Sequence, residues 1–154
     1  MNTEFVMRPI GIIHTPFSET TGMPIQPAFS QALGRVELLP EYAQGLQDLD
    51  GFSHVILIYA LDRSNGYSLL VKPFLDDVGR GLFATRHPCR PNPIGISTVR
   101  LVSVKDNMLE VEGIDVLDGT PLLDIKPYVP DFDSRAVARA GWYDDRPAGK
   151  DGRS

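Results

Sequence analysis

The sequence is poor in features that would settle its chemistry outright. It has one cysteine in 154 residues, so Cys89 has no internal disulfide partner, and a reducing compartment is the expected setting. No apolar run approaches the ~20 residues of a membrane-spanning helix. The opening MNTEFVMRPIG lacks the charged-then-apolar form of a secretory leader. The expectation is a cytoplasmic protein with no membrane association. Its histidines, His14, His54 and His87, share no ligand spacing; with a single cysteine, no metal centre is expected. Neither GxGxxG nor GxxxxGK[ST] occurs, which weighs against a Rossmann-type cofactor site and against P-loop chemistry. An excess of cations is also missing. Lys and Arg number 15 against 20 Asp and Glu, a net charge of −5. That is unlike a general nucleic-acid coat, although it leaves room for a local basic patch.

Turn formers, by contrast, are plentiful, with 14 glycines and 13 prolines. Short apolar stretches closed by Gly, Pro or Asp recur along the chain, the pattern of an all-β sandwich or barrel. PIGIIHTPF and GRVELLP read as strands, the second with Val36 and Leu38 on one face. PEYAQGLQDLDGF is the best helix candidate: Pro40 suits a first turn, Tyr42, Leu46 and Leu49 recur at helical spacing, and Asp50-Gly51 closes it. SHVILIYAL, apolar almost throughout, reads as a central strand buried on both faces. IGISTVRLVSV is a long strand whose apolar phase slips between Ile96 and Val99, predicting a bulge. MLEVEGIDVLDGTPLLDIKPYVP reads as a hairpin about Asp118-Gly119, with a second bulge at Gly113. SRAVARAG suits a short helix, and disorder is expected beyond Pro147. A length of 154 residues fits one domain, with the folded body expected over residues 1–133 and a partly disordered tail over 134–154.

Two segments carry chemical interest. In FATRHPCRPNPIGIS, residues 83–97, Pro88, Pro91 and Pro93 fix φ and push His87, Arg90 and Asn92 out of the helical region. Arg86 and Arg90 are thereby held in a rigid loop. A fixed guanidinium suits a carboxylate or phosphate, which its planar fork binds through two hydrogen bonds; surface charge on a stable turn is the competing reading. In DVLDGTPLLD, Asp115, Asp118 and Asp124 are either turn and solubility residues or acceptors for ribose hydroxyls and cationic groups. A His87–Cys89 nucleophile pair lacks an orienting carboxylate nearby.

GIIHTPF, FSHVILIYAL, FATRHPCRPNPIGIS and DVLDGTPLLDIKPYVP, in that order, resemble the TsaA-like (TrmO, YaeB-like) family over roughly residues 7 to 132. RPNPIG and DGTPxxDIKPY are long and unusual strings, so the resemblance is specific. It implies a small, mostly antiparallel β-barrel with one or two short helices that forms a homodimer. It also implies a methyltransferase that uses S-adenosylmethionine and adds a methyl group to N6 of threonylcarbamoyladenosine beside the tRNA anticodon. The alternatives are a small-molecule acceptor, or a non-catalytic module that binds S-adenosylmethionine. Carried across by position, the cofactor contacts fall on Pro24, Ile25 and Gln26, on Asp62 and Arg63, on Arg86, on Ile96, and on Asp115, Val116, Leu117 and Asp118. Ile25 stands where the family has arginine. Tyr128, Asp124 and His54 are candidates for a general base from residue type and segment. The best-described tRNA-modifying members carry a further C-terminal domain, which would begin near Ser154.

Overall fold

The computed structural model describes residues 3–19, 31–73, 77–136 and 138–145. Six strands close into an antiparallel barrel: β1 (Gly11–His14), β2 (Leu33–Leu38), β3 (His54–Ala60), β6 (Ile94–Lys105), β7 (Met108–Glu112) and β8 (Thr120–Pro127). Round the barrel the order is β1-β2-β7-β6-β3-β8, and β8 pairs back onto β1. Strands β4 (Leu70–Val71) and β5 (Arg80–Gly81) form a separate two-stranded ribbon in the excursion between β3 and β6. A single turn of α-helix, α1 (Pro130–Asp133), follows β8.

Alternation builds the interior. Ile13, Val36, Val55, Leu57, Val99, Leu109, Val111 and Leu122 point inward and are almost wholly buried. Each contributes roughly 1.5–3 kcal/mol by leaving water. Both ends need plugs. Leu46 and Leu49, from 3-10 turns at Pro40–Leu46 and Leu49–Gly51, close one. Ile114 and Val116, from the segment between β7 and β8, close the other.

The structure departs from the sequence reading in several places. The expected helix after Leu39 is two 3-10 turns. Gln47 is extended at ψ 133° and Asp48 is left-handed at φ 71°, and these break the helical path between Leu46 and Leu49. Strand β3 is buried on its inner face only, since Ile56 and Ile58 on the outer wall are half-buried. No bulge separates Ile96 from Val99. The inward position there belongs to a buried serine, Ser97, and Ile94 and Ile96 point out; the true irregularity of β6 lies opposite β7, between Leu101 and Ser103.

The larger correction concerns the expected hairpin. Strands β7 and β8 do not pair with each other: β7 lies between β2 and β6, and β8 between β1 and β3. Residues 113–119 instead cross the end of the barrel. Their amides tie down on the way, Gly113 to the Ala32 carbonyl (2.9 Å), Asp118 to Phe17 (2.7 Å) and Gly119 to Ile13 (2.9 Å). Gly113, at φ 95°, ends β7 rather than bulging it. The hairpin that does form joins β6 to β7 through Asp106 and Asn107. Within SRAVARAG, none of the described residues is helical before Gly141. The residues beyond Pro147 lie outside the described set.

Candidate functional site

One rim of the barrel gathers the end of β3, the start of β6 and the crossover 113–119. The proline loop is fastened to it directly, because the Leu61 amide just past β3 donates to the Pro93 carbonyl at 2.8 Å. Asp62 and Arg63 follow on an exposed turn. An Arg63 Nη2 donates to the backbone carbonyl of Asp118. Gly119 makes room for it: its φ of 82° suits glycine, and a Cβ there would sit 3.3 Å from that nitrogen.

Behind the rim lies a buried polar chain. Tyr59, on β3, stands opposite Gly95 on β6. The ring lies flat against that glycine; a Cβ at Gly95 would come within 2.2 Å of it. The glycine of RPNPIG is therefore a packing requirement of Tyr59. The phenol oxygen is 2.7 Å from Ser97 Oγ, and Ser97 Oγ donates to Asp115 Oδ1 at 2.6 Å. Since the serine proton goes to the carboxylate, the phenol proton goes to the serine. All three residues are buried. Burial pushes the Asp115 carboxyl up to about 6, while the Ser97 hydrogen bond, its own backbone amide and the Arg86 charge pull it down. Burial, then the Asp115 charge, push the Tyr59 phenol up, against Ser97 and Arg86. The Ser97–Asp115 hydrogen bond ties the strand that leaves the proline loop to the crossover, which places the two segments at one rim.

The two loop arginines have different fates. Arg90 folds back, and its Nη1 donates to the carbonyls of Thr85 (2.9 Å) and His87 (3.1 Å); its guanidinium carbon is 5.9 Å from the Phe83 ring centre. It braces the loop rather than presenting a charge. Arg86 is exposed. His87 Nδ1 accepts from the Cys89 amide at 3.2 Å, an internal turn contact rather than a nucleophile–base pair.

Asp118 divides the rim. Its carboxylate accepts from the Thr15 amide at 2.9 Å and stands 3.9 Å from His14 Nδ1, facing an open groove of about 460 Å³ that also touches Arg35 and Glu110. Val116 is buried and its carbonyl accepts from Thr15 Oγ1 at 2.8 Å; the Leu117 carbonyl accepts from Thr120 Oγ1 at 2.6 Å. This crossover can offer one exposed carboxylate and a rigid backbone edge beside two guanidiniums, an arrangement suited to a zwitterionic or sugar-bearing ligand.

Other expected residues fall elsewhere. Ile96 is on the outer wall, 49% exposed, with its side chain turned away from Ser97 and Asp115. His54 and Tyr128 lie at the far end of β3, roughly 20 Å along the strand from Ala60 at its rim end; their rings meet edge-on at 6.1 Å, and Ser53 Oγ is 2.8 Å from His54 Nδ1. Asp124 is opposite Ile58 on the wall, paired with Lys126 at 3.0 Å. Pro24, Ile25 and Gln26 lie outside the described residues. Among the described residues, no group of three His, Cys, Asp or Glu side chains is placed to hold a metal ion, and no helix is long and apolar enough to cross a membrane. Sequence reading missed Tyr59 and Ser97; the one available signal was a serine at an inward strand position, taken there for a slip in phase.

The chain is similar in sequence and fold to several known proteins. The chain is 55% identical over 136 residues to a probable S-adenosyl-L-methionine-binding protein of Pyrococcus abyssi, covering 88% of this chain and 74% of the relative. It is 35% identical over 157 residues to the tRNA (adenine(37)-N6)-methyltransferase of Escherichia coli, covering 95% of this chain and 67% of that enzyme. The crystal structure of TrmO from Pseudomonas aeruginosa superposes with a TM-score of 0.80 at 41% identity, and the match takes in 94% of this chain and 65% of that one. Residues 12–134 match the family model for the tRNA-methyltransferase O N-terminal domain, and the chain belongs to that family.

Proposed function

We propose that the protein transfers a methyl group from S-adenosylmethionine to N6 of threonylcarbamoyladenosine beside the anticodon of tRNA. One observation of the molecule carries the cofactor reading: Arg63, Arg86 and the 115–118 crossover share a rim. Arg86 and Arg63 suit the methionine carboxylate. Asp118 and the crossover carbonyls suit the ammonium group and the ribose hydroxyls. The relatives named as S-adenosyl-L-methionine-binding proteins and as tRNA adenine methyltransferases support the same assignment.

The sulfonium supplies an already activated methyl group: its C–S bond breaks as the C–N bond forms, leaving S-adenosylhomocysteine, and the nitrogen loses its proton. The protein's task is then mostly alignment. A proton acceptor helps a weak amide-like nucleophile. Of the three candidates, Asp124 is nearest the rim, since His54 and Tyr128 stand at the other end of β3.

The functional unit in this reading is a homodimer. Ile58 faces Ile96 and Ala60 faces Ile94 across the outer wall, and Ile94 and Ile96 are 41% and 49% exposed. A second copy of the chain is the occupant that fits this apolar patch beside the rim, with the Asp124–Lys126 pair at its edge. Sedimentation velocity of Ile96→Glu should show a monomer; an unshifted dimer would place the interface elsewhere.

The assay uses labelled cofactor with tRNA that bears threonylcarbamoyladenosine and with tRNA that lacks it, followed by nucleoside analysis. Incorporation into the first alone, falling steeply as salt rises, is the expected result. Salt-independent methylation of small molecules would favour the second acceptor class. Tight cofactor binding with no turnover on either tRNA would favour a binding module and contradict the proposal.

A further inference from the structure

The backbone that launches Arg86 is gripped from two directions. From inside the loop, Arg90 holds the carbonyls of Thr85 and His87, the two that flank Arg86. From outside, Trp142 Nε1 donates to the Ala84 carbonyl at 2.7 Å, across 58 positions of sequence. Ala84 ends the 3-10 turn Leu82–Ala84, two residues before Arg86.

The segment that delivers the indole has its own architecture. Gly141 is left-handed at φ 55°, and the amides of Tyr143, Asp144 and Asp145 donate to the carbonyls of Ala140, Gly141 and Trp142. The Ala140 amide is capped by Asp144 Oδ2 at 2.8 Å. Tyr143 meets the indole edge-on at 6.0 Å, and the Arg80 guanidinium carbon is 6.0 Å from the indole ring centre. Arg80 belongs to β5, which leads straight into the 3-10 turn, so the tail touches the loop's stem twice. Trp142 lies beyond the 12–134 match.

We infer that Trp142 is a positioning residue, which docks on Ala84 and keeps the loop ordered so that Arg86 stays aimed at the Asp115 rim. It acts through the loop and does not touch the ligand. A loop ordered before binding loses less freedom when the ligand arrives. The inference rests on the reading of Arg86 as a contact for the cofactor carboxylate.

Trp142→Phe in the full chain keeps an aromatic ring near Arg80 and removes the N–H donor. In the ligand-free protein, amide exchange at Thr85, Arg86, His87 and Cys89 should accelerate about tenfold, with little change in melting temperature. In calorimetric titrations with S-adenosylhomocysteine, the variant should bind about fivefold more weakly, and should lose nothing further when built on Arg86→Ala. Equal losses in both backgrounds would show that Trp142 does not act through Arg86, and would overturn the inference. Unchanged exchange at 85–89 would overturn it as well. If Arg86→Ala alone binds S-adenosylhomocysteine like the wild type, the site reading beneath the inference fails, a result visible without any change at Trp142.

Discussion

Asp115→Asn should make the folded chain more stable above pH 6, not less. The carboxyl titrates at about 6 in the fold against an ordinary 3.8, so the folded state binds protons more tightly than the unfolded chain. The resulting penalty is absent below about pH 4, grows between pH 4 and 6, and is fully present above; a shift of this size corresponds to about 3 kcal/mol. Asparagine keeps an acceptor for Ser97 and carries no charge to desolvate. We expect a gain of about 1–3 kcal/mol at pH 8 that vanishes near pH 4, read from urea titrations of both proteins across that range. The same change should weaken S-adenosylhomocysteine binding, because it removes the carboxylate whose charge helps to hold the Arg86 guanidinium at this rim. A residue that costs the fold stability and aids the ligand is the signature of a functional position. Loss of stability at pH 8 together with full binding would mark Asp115 as a structural keystone instead.

Arg86→Ala should weaken binding of the same ligand by about 30- to 150-fold, or 2–3 kcal/mol, the usual loss when a charged hydrogen-bond partner of a carboxylate is removed. The fold should survive it, since Arg86 is exposed and the loop is braced by Arg90 and Trp142. Arg86→Lys should recover only part of the loss, because an ammonium cannot repeat the two-pronged contact. Calorimetry with the two variants at fixed ionic strength reads both effects. Binding within twofold of wild type for Arg86→Ala would remove the residue from the site.

The barrel and the composition of its rim were legible in the sequence because both rest on local signals. Alternation in GRVELLP and MLEVE sets which residues point inward, and three prolines fix a loop wherever it lies. What failed was non-local. Asp118-Gly119 is a genuine turn, but a turn does not choose its strand partners; barrel closure gave β7 to β2 and β6, and gave β8 to β1 and β3, so a supposed hairpin became a plug. Ser97 broke an apolar pattern and was read as a slip in phase, because a buried serine is intelligible only beside the carboxylate it serves. Likewise, the tail's contact with Ala84 left no periodic trace in SRAVARAGWY. The 3-10 turns after Leu39 mimic helical spacing over a stretch too short to separate the two.

In the proposed function the proline loop and the crossover jointly seat the cofactor. A crystal structure with S-adenosylhomocysteine tests it directly. The amino-acid end should lie against Arg86, with the ribose or amine at Asp118 and the crossover backbone. Density confined to the groove between His14, Arg35 and Glu110, with Arg86 turned to solvent, would contradict it.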